Sequence, residues 1–312
     1  MSSRVGGITI RSLTKVYDQQ RVVDDVSFEV PAGSITGFVG ANGAGKTTTM
    51  RMLLGLVAPS AGTALVNGWP YRSLSQPRRE VGAVVDGPGA YPAHSARTHL
   101  AIMATGAGIS IRRVDEVLDQ VELIEHADRR VHGYSMGMLQ RLALAGALLG
   151  DPSVLVLDEP ANGLDPPGIV WMRKLLRGLA DEGRALLISS HLLAELAEVA
   201  DRVVIIERGR LVADTSLEAL LAGQVQVQVR CADPTVLVRA LRDRGVTLTE
   251  DGDAVFIEGM SAREAGELVA AVGAGPVYGL TERATSFEDV YFRLAQSTPG
   301  QSSMTTDMEV AS

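Results

Sequence analysis

The sequence predicts an α/β protein in which a helical insert interrupts a parallel sheet, followed by a small α+β unit. Three observations carry this reading. Val154-Leu155-Val156-Leu157, Ala185-Leu186-Leu187-Ile188 and Val203-Val204-Ile205-Ile206 are near-continuous apolar runs between helical segments, the pattern of strands covered on both faces. Between about residues 95 and 150 the pattern is helical, with Val114, Val117, Leu118 and Val121 on one face at i, i+3, i+4 and i+7. Residues 224–230 then alternate strictly between polar and apolar, as a half-buried strand does, and open the second unit.

The elements follow in order. Ile8-Thr9-Ile10-Arg11 and Val26-Ser27-Phe28-Glu29-Val30 are strand-like and flank a polar turn at residues 17–21. Pro59-Ser60-Ala61-Gly62 breaks the chain before Thr63-Ala64-Leu65-Val66 and a turn at Asn67-Gly68. These pieces predict an antiparallel sheet against the core. Ile35-Thr36-Gly37-Phe38-Val39 and Val81-Gly82-Ala83-Val84-Val85 read as buried strands, and residues 47–54 as a helix. The second unit predicts helices over 234–244 and 262–272, a hairpin at Asp251-Gly252-Asp253 and a strand near Val277-Tyr278. Phe287, Val290, Tyr291 and Leu294 fall on one face of a further helix over 286–295, with Ser286 and Asp289 as its start signal. The expected domains are 1–222, with the helical insert at about 95–150, then 223–296. Residues 297–312 lack apolar periodicity and are expected to be a disordered tail.

The composition excludes several classes. A net charge of −8 without a Lys/Arg block disfavours nucleic acid as a partner. Cys231 is the sole cysteine, so no internal disulfide forms and no metal-ligand spacing surrounds it. No stretch reaches the ~18 apolar residues of a spanning helix. The longest candidate, 268–280, is broken by Gly273, Gly275, Pro276 and Gly279. The N-terminus lacks the apolar run of a signal peptide. The expectation is a soluble, cytoplasmic chain that works at a membrane only through a partner.

The chemistry starts at Gly40-Ala41-Asn42-Gly43-Ala44-Gly45-Lys46-Thr47, which fits the phosphate-loop pattern at every fixed position. A strand feeding a Gly-rich turn at a helix N-terminus makes an anion site, because backbone N–H groups converge there and the helix dipole favours negative charge. Asn42, Gly43, Ala44, Gly45 and Thr48 surround the phosphates in this reading. Lys46 reaches the β- and γ-phosphates of ATP, and the Thr47 hydroxyl ligates Mg²⁺. A Gly-rich turn that binds nothing is the bland alternative. It is disfavoured because strand, turn, Lys-Thr pair and helix agree. Asp158 and Glu159 end an apolar strand at the sheet edge where α/β folds place ligands. Asp158 is expected to hold Mg²⁺, and Glu159 to polarise the water that attacks the γ-phosphate. Without the phosphate loop, an acidic helix cap would be the better reading. His191 ends the next strand and is expected to donate to the γ-phosphate. His94, His99, His126 and His132 show no ligand spacing and read as surface residues.

Tyr134-Ser135-Met136-Gly137-Met138-Leu139-Gln140-Arg141 precedes a helix of small residues shortly before the Asp158 strand. This stretch resembles the signature loop of ATP-binding cassette (ABC) proteins, in the variant of drug-export and antibiotic-resistance cassettes. The resemblance covers about residues 8–222. It implies a phosphate-loop NTPase core with a parallel sheet, an antiparallel β subdomain and a helical insert, followed by a small α+β C-terminal domain. It also implies a homodimer in which Ser135 and Gly137 cap the ATP of the partner cassette, with Tyr17 stacking on adenine and Asp165 meeting the partner. Function follows as ATP hydrolysis that drives efflux of drugs or antibiotics through a separate membrane permease, at the cytoplasmic face of the membrane. One position departs from the family: Asp86 stands where a Gln near Mg²⁺ is usual, and is a candidate metal ligand. Two other classes compete. A ribosome- or DNA-linked cassette machine would carry two cassettes or long heptads. A phosphate-loop kinase would leave the residues 134–141 without a role.

Overall fold

The computed structural model describes residues 6–87, 89–221, 225–284 and 286–297. Residues up to Leu217 form one compact unit, and Glu218–Gln296 a second.

In the first unit, β1 (Gly7–Tyr17) and β2 (Gln20–Pro31) form a hairpin through Asp18 and Gln19, both at positive φ. β3 (Ser34–Val39) feeds α1 (Lys46–Leu53), and β4 (Ala61–Val66) returns antiparallel to β1, giving the order β2-β1-β4. α2 (Pro77–Glu80) leads into β5 (Val81–Val84). The insert holds α3 (Ala96–Gly106), α4 (Arg112–Gln120) and α5 (Met136–Leu148). Then come β6 (Val154–Asp158), α6 (Pro166–Asp181), β7 (Ala185–Ser189), α7 (Leu193–Ala197), β8 (Arg202–Glu207) and β9 (Arg210–Ser216); α8 (Leu217–Leu221) starts at the last residue of this unit and continues into the second. The large sheet has the order β5-β6-β7-β3-β8-β9 and is parallel up to β8. β9 adds an antiparallel edge that the sequence reading did not contain. Its sequence, Arg-Leu-Val-Ala-Asp-Thr-Ser, is too polar to stand out as an apolar run.

α1 lies between the two sheets and touches β1, β2, β4 and β6. The core therefore joins Ile8, Ile10 and Phe28 of the small sheet to Met50 and Leu53 of the helix, and to Phe38, Val156 and Leu187 of the large sheet. The Phe28 and Phe38 rings bridge the layers at 5.3 Å. Val154, Leu155, Val156 and Leu157 are fully buried. Each such side chain contributes roughly 1.5–3 kcal/mol of transfer free energy. This rigid strand sets the height at which Asp158 and Glu159 leave the sheet. In the insert, Val114, Val117, Leu118 and Val121 are all buried, as their spacing predicts.

His99 on α3 is half-buried rather than a surface residue, as is His94. Burial, and then the nearby His94, hold its imidazole below the ordinary 6.5. Between that lowered value and 6.5 the unfolded chain binds more protons than the folded one, so stability rises with pH in this window. We expect the melting temperature to fall as pH drops from 6.5, and a His99→Gln variant to lose part of that slope. An identical slope in the variant would contradict this.

The second unit contains β10 (Val225–Cys231), α9 (Pro234–Arg242), β11 (Leu248–Asp251), β12 (Ala254–Glu258), α10 (Ala262–Val272) and β13 (Val277–Ala284). The strands pair antiparallel in the order β11-β12-β10-β13, a split βαβ arrangement. Val227, Val229, Val255 and Ile257 meet Leu237, Leu241 and Val269 of the helices in one core. Ser261 and Glu264 cap α10 reciprocally. In α11 (Phe287–Ser297), Phe287, Val290 and Tyr291 are buried and Leu294 is half-buried, so the spaced apolar face exists. The Ser286 hydroxyl accepts from the Asp289 N–H at 3.1 Å, the expected start signal. The Arg293 guanidinium donates to Glu258 at 2.6 Å. The boundary expected at 222/223 and the tail expected from 297 fall on residues outside those described, except for Ser297, which ends α11.

Candidate active site

The loop after β3 turns into α1 at Gly45, with φ of 106°. A Cβ there would stand 2.7 Å from the Val22 carbonyl oxygen, so the turn closes only around glycine. Lys46 opens the helix and is buried. Its Nζ donates to the carbonyls of Gly40 at 2.5 Å and Ala41 at 3.2 Å. Burial lowers its pKa, opposed by the carboxylates of Glu159, Asp158 and Glu207. The Thr47 hydroxyl donates to Asp158 Oδ2 at 2.8 Å. The second oxygen of Asp158 accepts from Ser189 Oγ at 2.5 Å. Glu159 has a φ of 51°. Its Oε2 lies 2.6 Å from His191 Nδ1. The same oxygen accepts the His191 N–H at 3.2 Å. A cavity of about 240 Å³ lies over this group, lined by Val22, residues 42–48, Asp158 and Glu159. A larger groove of about 670 Å³ runs between α3 and α4, but Ala101, Ile102, Ile111 and Val114 line it without loop amides or paired carboxylates. Size therefore does not select the site; chemistry does. Thr47 and Asp158 present a hydroxyl and a carboxylate oxygen side by side, the hard-oxygen donors that Mg²⁺ takes.

This arrangement of backbone amides, buried ammonium and paired carboxylates has clear counterparts. Residues 23–162 match the ABC transporter family. The bacitracin transport ATP-binding protein BcrA of Bacillus licheniformis is 43% identical over 216 residues, 68% of this chain and 71% of that protein. The chain belongs to the ABC transporter ATP-binding proteins. The Nod factor export ATP-binding protein I of Burkholderia orbicola is 35% identical over 93% of this chain and 97% of its own length. A solved ATP-binding subunit of an ABC transporter superposes with a TM-score of 0.64 at 29% identity, over 69% of this chain and 91% of that one. Residues 225–288 match a family described only as a domain of unknown function.

The protein is thus an ATP-binding, ATP-hydrolysing cassette. Cassettes of this family work in pairs with membrane permeases, and among the described residues no helix is long and apolar enough to cross a membrane. Within this cassette, Asn42 to Thr48, Asp158 and Glu159 come together, with His191 joined to them through Glu159. Ser135 and Gly137 do not line the cavity. Ser135 caps α5, accepting the Met138 N–H at 3.2 Å. Its loop packs on the segment 161–165: a Cβ on Gly163 would stand 2.2 Å from Met136 Cγ. Asp165 caps α6 by accepting the Gly168 N–H at 3.0 Å. Tyr17 is also off the cavity, half exposed, with the Lys15 ammonium 4.7 Å over its ring.

Asp86 stands apart from the other expected site residues. It does not line the cavity, and both its oxygens are taken by Arg51 of α1, Nε at 3.1 Å and Nη2 at 2.5 Å. A fork on both oxygens holds the carboxylate towards α1 rather than towards Thr47 and Asp158. We expect Asp86→Asn to leave the Mg²⁺ concentration for half-maximal ATPase activity unchanged. A severalfold rise in that concentration would make Asp86 a metal ligand.

Two residues of this neighbourhood, Arg51 and Ser189, escaped the sequence reading. The signal for Ser189 was present: a hydroxyl ending a buried strand two residues before His191.

Proposed function

We propose that this cassette powers an exporter of antibiotics or other drugs, sitting peripherally at the cytoplasmic face of the membrane beside a separate permease. Residues 1–222 form the catalytic domain in this reading, and 223–296 an accessory domain without catalytic groups. The observation that carries the catalytic assignment is the position of Glu159: at the end of β6, lining the phosphate-loop cavity, with its carboxylate against His191.

Each residue then has a task. The amides of residues 42–48 and the Lys46 ammonium bind the β- and γ-phosphates. Thr47 and Asp158 would hold Mg²⁺, which when bound neutralises charge on those phosphates. Glu159 accepts a proton from the attacking water through its carboxylate, and His191 orients that carboxylate through Nδ1. Tyr17 stacks on adenine. The cavity of about 240 Å³ falls below the roughly 300–1,000 Å³ of a complete small-molecule site. That supports closure by Ser135 and Gly137 of a second copy, in an isologous homodimer. Two nucleotides close the dimer, and hydrolysis reopens it.

Export of antibiotics is supported by the names of relatives, bacitracin transport among them. Co-expression with the permease in a susceptible host should raise the inhibitory concentration of bacitracin or another antibiotic in a panel, and Glu159→Gln should remove the rise. No change across the panel, with an active ATPase, would overturn the export reading alone.

A further inference from the structure

Ser189 is fully buried, with 0% of its surface exposed, at the C-terminal end of β7. β7 lies between β6 and β3, and its parallel register places Ser189 opposite both Asp158 and Phe38. The end of the strand that carries the phosphate loop and the end of the strand that carries the carboxylates are thus one residue-width away on either side. The Ser189 hydroxyl donates to Asp158 Oδ1 at 2.5 Å. The Ser189 hydroxyl oxygen in turn accepts the Glu159 N–H at 2.9 Å. The Ser189 carbonyl accepts that N–H too, at 3.2 Å.

We propose that Ser189 is a positioning residue that sets both carboxylates of the site through one hydroxyl. For Asp158 the argument is geometric. Thr47 holds one oxygen and Ser189 the other, so the carboxylate plane is fixed before any cation arrives. A carboxylate gripped on one oxygen alone rotates about its Cβ–Cγ bond, a broad and soft torsion. For Glu159 the argument is conformational. A φ of 51° is left-handed backbone that a Glu adopts at a cost, and such strain persists only where the surroundings over-determine it. Ser189 is what over-determines it, gripping the Glu159 N–H with its hydroxyl and its carbonyl. From that fixed backbone the side chain reaches His191, which follows Ser189 by two residues on the same strand end. The strand end therefore holds Glu159 twice, at the backbone through Ser189 and at the carboxylate through His191.

This inference rests on the reading of Asp158 and Glu159 as the working carboxylates. The test compares Ser189→Ala, Ser189→Cys and Ser189→Thr. Cys keeps nearly the same shape but is a weak donor, and Thr keeps the hydroxyl. In Ser189→Ala, kcat should fall roughly tenfold or more, the size of losing a hydrogen bond to a charged group. The KM for MgATP should rise severalfold with the weaker grip on the cation, although the phosphate loop itself is untouched. The gain in ATP affinity on adding Mg²⁺, read by calorimetry, should shrink severalfold, while affinity in EDTA stays at the wild-type value. Ser189→Cys should shift in the same direction, and Ser189→Thr should recover most of the wild-type values. A general loss of packing would lower affinity in EDTA as well and would not be rescued by Thr, and that pattern would overturn the proposal. So would wild-type kcat and Mg²⁺ response in the Cys variant, which covers the case of an Ala variant that does not fold. If Glu159→Gln is itself fully active, the underlying reading of the site fails; if Glu159→Gln is inactive and Ser189→Cys is normal, only the role of Ser189 fails.

Discussion

Glu159→Gln is expected to bind ATP with near wild-type affinity and to lose roughly 10²–10⁴-fold in turnover, the range for removing a positioned general base. The amide keeps the volume of the carboxylate, so the cavity keeps its shape. It cannot take a proton from water, since its lone pairs are those of a neutral amide. Binding is expected to survive because the proposed phosphate contacts belong to residues 42–48, which the substitution leaves unchanged. The contact with His191 Nδ1, 2.6 Å in the wild type, also changes from carboxylate to amide. His191→Ala should therefore lower kcat in the same direction but leave some activity, because Glu159 remains held at its backbone by Ser189. Steady-state hydrolysis and equilibrium ATP binding, measured on the same preparation, check both halves. A Glu159→Gln variant that turns over at near wild-type rate would remove Glu159 from the chemistry.

Lys46→Ala carries the second large effect, and it falls on binding. Nζ has two carbonyl partners, Gly40 and Ala41, and sits where burial already costs the ammonium some of its charge preference. Both partners belong to the loop that leads into α1. Exchanging them for phosphate turns neutral acceptors into charged ones, so the ammonium gains most with ATP in place. Losing two such charge-assisted bonds at about 1.5–3 kcal/mol each weakens ATP binding on the order of 10²-fold or more. Lys46→Arg should not rescue, because a planar fork cannot replace a compact point charge inside so tight a loop. Calorimetric titration with ATP measures the loss directly; an affinity within a few-fold of wild type would contradict it.

How much of this was legible in the sequence depends on how local each signal is. The phosphate loop, Asp158-Glu159 and the signature stretch are contiguous motifs, and their elements formed where the motifs required. The buried strands announced themselves as apolar runs, because both of their faces are covered. β9 did not, since an antiparallel edge strand needs little apolar content and reads like a loop. Arg51 and Asp86 lie 35 residues apart and meet only once the segment after β5 is brought against α1. The sequence alone left Asp86 free to point at the metal. Ser189 was visible as a residue but not as a partner, because its contacts depend on the register between β6 and β7. His99 looked like a surface residue because a lone His carries no burial signal of its own.

In the proposed cycle two copies close over ATP held by Lys46, Thr47 and Asp158, and Glu159 reopens them by hydrolysis. Light-scattering mass of Glu159→Gln, with ATP and Mg²⁺ and again with no nucleotide, tests it most directly. The expected result is the mass of two chains with ATP and of one chain without it. A one-chain mass in the presence of ATP, with bound nucleotide confirmed in the same sample, would contradict it.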